Sequence, residues 1–214
     1  MTRQYERLVE ERHHDIDGIV DWRWIAGDNG AWDGPKEDWK ESHKHKYSEH
    51  VRKWDVVVQA GGNCGMYPRL FARMFKWVYT FEPDPLNFYT LVQNCQEDNI
   101  VKMQAALGDK HTMIEVHRHS MHNVGMHQVR ANAGANIPQL CIDDLALHDC
   151  DLIQLDIEGY EIHALRGAEQ TIAKYKPVIV VENNNPEIGA LLIDKYGYIV
   201  ASTSKMDTIY CPQL

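Results

Sequence analysis

The sequence lacks the features of a membrane-spanning or secreted protein. None of its apolar runs approaches the roughly 18 residues that a membrane span requires, and its polar first residues, Met1–Gln4, are unlike a signal peptide. Its five cysteines include no Cys-x-x-Cys pair, which argues against a zinc ribbon or a disulfide framework and favours a reduced protein. We therefore expect a cytoplasmic protein without a membrane partner.

The sequence also lacks the positive charge that a nucleic-acid-binding surface needs. Its 22 lysine and arginine residues are outnumbered by 31 aspartate and glutamate residues, and the formal net charge is -9 at pH 7. Phosphate groups are neutralised by lysine and arginine, so this balance argues against nucleic acid as the main partner. It suits a neutral or cationic small ligand better.

A buried strand that ends in a glycine-rich turn is the most informative motif of the chain. Residues 55–60 form an apolar, largely β-branched run, residues 61–65 read Gly-Gly-Asn-Cys-Gly, and a helical pattern follows. We call residues 61–65 the glycine turn. Such a unit is typical of nucleotide-binding α/β domains, because glycine permits close backbone approach and a helix N-terminus offers free N–H groups. Similar turns also occur for packing reasons alone.

Glu82 is the second part of this signal. It follows the predicted strand Trp77–Phe81, about 20 residues beyond the glycine turn, where such folds hydrogen-bond a ribose diol. A carboxylate can accept from both hydroxyls. The alternative is that Glu82 caps the helix after Pro85. Because the turn lacks the G-x-G-x-x-G pattern, a nicotinamide-dependent oxidoreductase is only an alternative reading.

Strands and helical patterns alternate from residue 51 onward. Further strands are predicted over 101–107, 151–156 and 177–182, with an antiparallel strand over 113–119, a loop over 120–138 and a closing hairpin over 198–211. This alternation predicts an α/β fold with a doubly wound, mostly parallel sheet and one reversed strand.

The first 50 residues differ from the rest of the chain. We expect a short helix over residues 5–11, followed by a segment rich in His, Trp and Gly. We divide the chain into an N-terminal cover, 1–50, and a catalytic domain, 51–214. The cover is expected to place Trp24, Asp28 or Trp32 near the pocket, because tryptophans in a glycine-rich segment pack or line a lid.

Polar residues end most of the predicted strands. Ligands of open α/β sheets bind outside the carboxyl ends of the strands, and a charge at the end of a buried strand is costly unless it is paired or bound. Random surface placement is the alternative. The residues at these ends are Gln59, Glu82, Asp156, Glu158, Glu182 and Asn183.

Taken together, these segments resemble the FkbM-type family of class I S-adenosylmethionine-dependent methyltransferases. The segments that carry the resemblance are 58–65, 81–85, 105–109, 155–161 and 180–182, in order. The resemblance implies a Rossmann-like class I fold, with a mostly parallel seven-stranded sheet, one antiparallel strand and helices on both faces. It also implies S-adenosyl-L-methionine as cofactor, S-adenosyl-L-homocysteine as product, and O-methylation of a sugar, another small metabolite or a glycan.

The resemblance further implies which residues form the site. Asp156 and Glu158 would be catalytic, facing the sulfonium and the acceptor. The family usually has an acidic residue where Gln59 stands, so we expect weaker cofactor binding, or compensation by Asp28 or Asp156. The implied cofactor-binding residues are Gln59, Gly61, Gly62, Asn63, Gly65, Glu82, Pro83, Ala106, Leu107 and Asp156, with Asp109 nearby.

Three questions stay open at this point. The leading candidates for the general base are Glu158 and Asp156, and His122 and His163 are the next candidates. We assign no metal site; a divalent metal is not favoured, although Asp156, Glu182 and Asn183 carry oxygen ligands suited to magnesium or calcium. A protein that binds the cofactor without catalysis is a further alternative. A histidine group, His117, His119 and His122, is read as a solvated face.

Overall fold

The computed structural model describes residues 2–16, 18–28, 47, 49–117, 128–130, 136–182, 185–204 and 207–213. Its strands are β1 (Val9–Ile16), β2 (Ile19–Ile25), β3 (Val56–Ala60), β4 (Trp77–Phe81), β5 (Ile100–Met103), β6 (Ala106–Leu107), β7 (Thr112–His117), β8 (Gln128–Arg130), β9 (Ile137–Leu140), β10 (Leu152–Leu155), β11 (Val178–Val181), β12 (Tyr198–Thr203) and β13 (Thr208–Pro212). Its α-helices are α1 (Thr2–Tyr5), α2 (Met66–Phe71), α3 (Pro85–Asn94), α4 (Glu161–Arg166), α5 (Glu169–Tyr175) and α6 (Pro186–Gly189). Short 3-10 turns cover Glu6–Leu8 and Ile142–Leu145, and a π-helical turn covers Ala190–Lys195.

Seven strands form the central sheet, in the order β12-β13-β11-β10-β3-β4-β5. Neighbours from β5 through to β11 are parallel, and β13 is antiparallel to both β11 and β12. This confirms the predicted α/β fold with a mostly parallel, seven-stranded sheet and one reversed strand. The order of the strands along the chain reverses between β3 and β10, which is where ligands bind in such sheets.

Two apolar cores cover the two faces of this sheet. Alternate residues of β3 point to opposite faces, so Val58 packs with Leu165 of α4 on one face, while Val57 packs with Phe71 of α2 and Leu91 of α3 on the other. All residues of β3, β10 and β11 are buried. These strands are mostly apolar because helices cover both faces of the sheet.

A second sheet, in the order β6-β9-β7-β8, is formed by strands that follow β5 along the chain. The single strand predicted over 101–107 is wrong, because β5 ends at Met103 and residues 106–107 pair with β9 instead. The side chains of Ala105 and Leu107 are buried in the core, so the apolar pattern continues across the break. The loop predicted over 120–138 is wrong where β8 and the start of β9 occur; residue 136 has no regular structure, and the other residues of this segment lie outside the described ranges.

The N-terminal part of the chain is a β-hairpin, β1 with β2. The predicted helix over 5–11 is therefore wrong beyond a short helical start, because the strand begins at Val9. Trp22, Trp24 and Ile25 are buried against Cys64 of the glycine turn and Leu70 and Leu86 of the neighbouring helices. Trp32 lies outside the described residues. No helix within the described ranges has the length and apolar character of a membrane span.

Candidate active site

The glycine turn is held between the ends of β4 and β10. The backbone N–H groups of Gly61 and Gly62 donate to the Phe81 carbonyl at 3.1 and 2.9 Å. Gly61 has a positive φ of 83°, and a Cβ atom there would lie 1.9 Å from the carbonyl oxygen of Asp156. Only glycine permits this approach. The turn therefore meets the loop after β10 where the strand order reverses.

Glu82 ties the glycine turn to the start of α3. Its carboxylate accepts from the N–H of Asn63 at 2.7 Å and from the N–H of Asp84 at 2.8 Å, and the residue is only 5% exposed. The alternative that Glu82 caps α3 is wrong, because Asp84 accepts from the first N–H groups of that helix. Pro83 lies between the two acids, half-buried.

Two buried polar atoms beside the turn make no hydrogen bond within the described part of the chain: the amide nitrogen of Gln59 and the side-chain oxygen of Asn63. The side-chain oxygen of Gln59 accepts a hydrogen bond from the Thr80 hydroxyl at 2.5 Å. A buried donor or acceptor without a partner costs about 1–3 kcal/mol. A ligand that offers both an acceptor and a donor would satisfy both atoms.

Asp156, Glu158 and Glu182 form an acidic cluster at the carboxyl ends of β10 and β11. One oxygen from each carboxyl group lies within 4.8 Å of the others. Burial raises the pKa of Asp156 well above its ordinary value, and a hydrogen bond to Glu182 and the charges of Glu182 and Glu158 raise it further. Because neighbouring carboxyl groups oppose one another's ionisation, these contacts favour the protonated form of Asp156.

Sequence reasoning missed three residues that approach this cluster: Tyr47, Tyr67 and Asp207. Burial is the largest cause of the raised pKa of both tyrosine hydroxyls, and the charges of Asp156 and Asp207 add to it. Asp207 could have been found from topology. Because β13 is antiparallel, its first residue, Thr208, pairs with Val181 at the end of β11, so Asp207 stands at the carboxyl edge.

The remaining predicted residues lie in or next to the second sheet, in α4, or outside the described ranges. Ala106 and Leu107 are buried in β6, and no contact described here joins them to the acidic cluster. The His163 ring lies 3.1 Å from the Asp109 carboxylate, and this bond is the largest cause of the lowered pKa of Asp109. His117 is in β7. Asn183, His119 and His122 lie outside the described residues.

Solved structures that share this fold across most of the chain include the following three proteins. An FkbM methyltransferase from Methylobacillus flagellatus KT is 18% identical, with a TM-score of 0.51 over 82% of this chain and 52% of its own. This chain thus spans about half the length of that protein. A ribosomal protein L11 methylase from Lactobacillus delbrueckii subsp. bulgaricus is 7% identical, with a TM-score of 0.51 over 85% of this chain and 81% of its own.

Trm5b from Pyrococcus abyssi is 13% identical, with a TM-score of 0.52 over 94% of this chain and 54% of its own. These identities are low, so the three similarities show a common fold. No curated protein matches the sequence. The family model described as the Methyltransferase FkbM domain matches residues 60–200, well over half of the chain. The chain therefore belongs to the FkbM family of methyltransferases.

Proposed function

We propose that the protein transfers a methyl group from S-adenosyl-L-methionine to a hydroxyl group of a sugar, a glycan or another small metabolite. One observation carries the proposal: the glycine turn, Glu82 and the acidic cluster meet where the order of strands reverses. Family membership supports the cofactor, and the negative net charge of the chain supports a neutral or cationic acceptor.

The residues around the glycine turn fit this cofactor. Its methionine end carries an ammonium donor and a carboxylate acceptor, which would satisfy the side-chain oxygen of Asn63 and the amide nitrogen of Gln59. The Glu82 carboxylate accepts the N–H groups of Asn63 and Asp84, and a carboxylate offers about four acceptor sites, so it can also accept from the ribose hydroxyls. When bound, S-adenosyl-L-methionine supplies an electrophilic methyl group on a cationic sulfur.

During methyl transfer, the acidic cluster would accept the proton that the acceptor hydroxyl loses. An acceptor hydroxyl must lose its proton as it attacks, and we assign Glu158 as the base that takes it, with Asp156 and Glu182 beside it. A carboxyl group whose pKa is raised, as that of Asp156 is, accepts a proton closer to neutral pH. The remaining acceleration would come from aligning the acceptor oxygen with the methyl group and sulfur.

Binding and transfer are tested separately. Isothermal titration with S-adenosyl-L-methionine and S-adenosyl-L-homocysteine should show binding of both, and Glu82→Ala should weaken it by about tenfold or more. Glu187→Gln, which alters an exposed glutamate of α6, is the matched control. If neither compound binds at high micromolar concentration, the proposal fails.

Acceptors are then screened with cofactor labelled in its methyl group. Label should pass to hydroxylated acceptors such as sugars. Binding without transfer to any class of acceptor would indicate a non-catalytic cofactor-binding protein. The expectation that no divalent cation is needed stays a prediction. Transfer that is unaffected by a chelator would show that none is needed.

A further inference from the structure

The loop that carries Glu158 has an unusual backbone. Glu158 has a left-handed φ of 55°, and Gly159 follows with a φ of 94°. A left-handed conformation is uncommon for a residue with a side chain, and it persists only where surrounding contacts hold it. The direction of the Glu158 side chain therefore depends on whatever fixes this loop.

Glu161, the first residue of α4, provides such a contact. Its side chain turns back to the loop, where one carboxyl oxygen accepts from the N–H of Ile157 at 3.2 Å and from the N–H of Gly159 at 3.3 Å. These two N–H groups lie on either side of Glu158.

Glu161 is also fully buried, with 0% of its surface exposed. Its second carboxyl oxygen is buried and makes no hydrogen bond to any described residue. Burial raises the pKa of Glu161, and the nearby charge of Glu182 adds to this. A neutral carboxyl group still accepts both N–H bonds through its carbonyl oxygen, so the contact with the loop does not require a charge.

We propose that Glu161 is a positioning residue for methyl transfer, which fixes the loop on both sides of Glu158 and so directs Glu158 toward Asp156 and Glu182. The proposal rests on the function proposed above for Glu158. Glu161 itself touches neither cofactor nor acceptor in this scheme. It acts through the backbone bonds that it accepts, which distinguishes it from the three carboxyl groups of the cluster.

Two substitutions separate the hydrogen bonds from the charge. Glu161→Gln keeps a carbonyl acceptor of the same length, whereas Glu161→Met keeps the shape and removes the acceptor. Amide hydrogen exchange measured by NMR should accelerate at Ile157 and Gly159 in the Met variant and stay near wild type in the Gln variant. Protection in β10 and the rest of α4 should be unchanged in both.

The same variants give a kinetic result. Glu161→Met should lower kcat by about a hundredfold with little change in cofactor Kd, as expected for a misplaced catalytic group, and Glu161→Gln should restore most of it. In a Glu158→Gln background the Met substitution should have little further effect on kcat.

Unchanged exchange at Ile157 and Gly159 in the Met variant would overturn the proposal, as would fully additive effects of the two substitutions on kcat. Failure of the proposed function looks different. In that case the wild-type protein would transfer no methyl group, while the exchange of the two amides would still respond to Glu161→Met.

Discussion

The carboxyl ends and the amino ends of the central strands, called here the carboxyl edge and the amino edge, each carry a group of three acidic residues, and the pKa values in the two groups are shifted in opposite directions. At the amino edge, one carboxyl oxygen from each of Asp55, Asp149 and Asp151 lies within 4.8 Å of the others, the same limit that the acidic cluster meets at the carboxyl edge. Lys76 pairs with Asp55, and Lys53 lies 3.4 Å from Asp149.

Asp151 is satisfied by the backbone, because its carboxylate accepts from the N–H groups of Asp55 and Val56 at 2.8 and 3.0 Å. The bond from Lys76 is the largest cause of the lowered pKa of Asp55. At the carboxyl edge the pKa of Asp156 is raised instead, through burial and neighbouring carboxyl groups. At the amino edge the acidic residues thus accept backbone N–H groups and pair with lysines, whereas at the carboxyl edge they lie close together and raise the pKa of Asp156.

The largest expected loss of stability and cofactor binding comes from adding a side chain at Gly61, where the glycine turn contacts the loop after β10. Gly61→Ala places a Cβ atom 1.9 Å from the Asp156 carbonyl oxygen and keeps a positive φ, so it should destabilise the fold by about 3 kcal/mol and abolish cofactor binding. Thermal unfolding and titration measure both. Gly197→Ala is the matched control, because Gly197 also has a positive φ but open space around its Cβ position. Equal losses in the two variants would contradict the account.

The next largest effect is on kcat, which should fall for a substitution at the carboxyl edge and stay unchanged for one at the amino edge. Glu158→Gln removes the proposed base and should lower kcat by about 10²–10⁴-fold, with cofactor Kd nearly unchanged. Asp149→Asn at the amino edge should leave kcat at the wild-type value. Rates of label transfer from the cofactor check both. A parallel fall of kcat and cofactor affinity in Glu158→Gln would mean that this residue acts in binding.

A smaller effect concerns how stability depends on pH. The folded pKa of Asp156 is raised above 3.8, so its ionisation costs stability as pH rises from there through the folded pKa. Asp156→Asn should therefore be more stable than wild type at neutral pH, by about 1 kcal/mol or more, with the gain vanishing near pH 3.

Asp55 should show the opposite sign. Its folded pKa is lowered, so it contributes stability above its unfolded pKa and loses it as pH falls through the folded pKa. Asp55→Asn should be less stable than wild type at neutral pH and similar in acid. Urea unfolding across this pH range checks both signs. The same sign for both variants would erase the distinction between the edges.

Much of the sheet could be predicted from the sequence because its strands are short apolar runs separated by clear turn signals. The helix beginning at Pro85 is an example, since Asp84 and Pro85 give an N-cap and a first-turn proline. The break after Met103 could not be predicted, because the apolar pattern continues through residues that leave the sheet. The strand over residues 9–16 could not be predicted either, since its pairing with β2 depends on tertiary packing.

The site was predicted in part. Residues that directly follow parallel strands, such as Glu82 and Asp156, could be placed at one edge by topology alone. Asp207 and Tyr47 reach that edge from an antiparallel strand and from the N-terminal segment, which local patterns do not reveal. The contact between Glu161 and the loop depends on a left-handed residue at Glu158, and sequence gives little indication of that conformation.

The assignment of the carboxyl edge as the cofactor site is tested most directly by the response of the acidic cluster to a cationic sulfur. Isothermal titration at neutral pH in two buffers of different ionisation enthalpy counts the protons released on binding. Binding of S-adenosyl-L-methionine should displace a proton from the cluster. Binding of S-adenosyl-L-homocysteine should not, because its sulfur carries no positive charge. The Asp156→Asn substitution should abolish this difference between the two compounds. Equal proton release with both compounds, or a difference that survives in Asp156→Asn, would contradict the assignment of the carboxyl edge as the cofactor site.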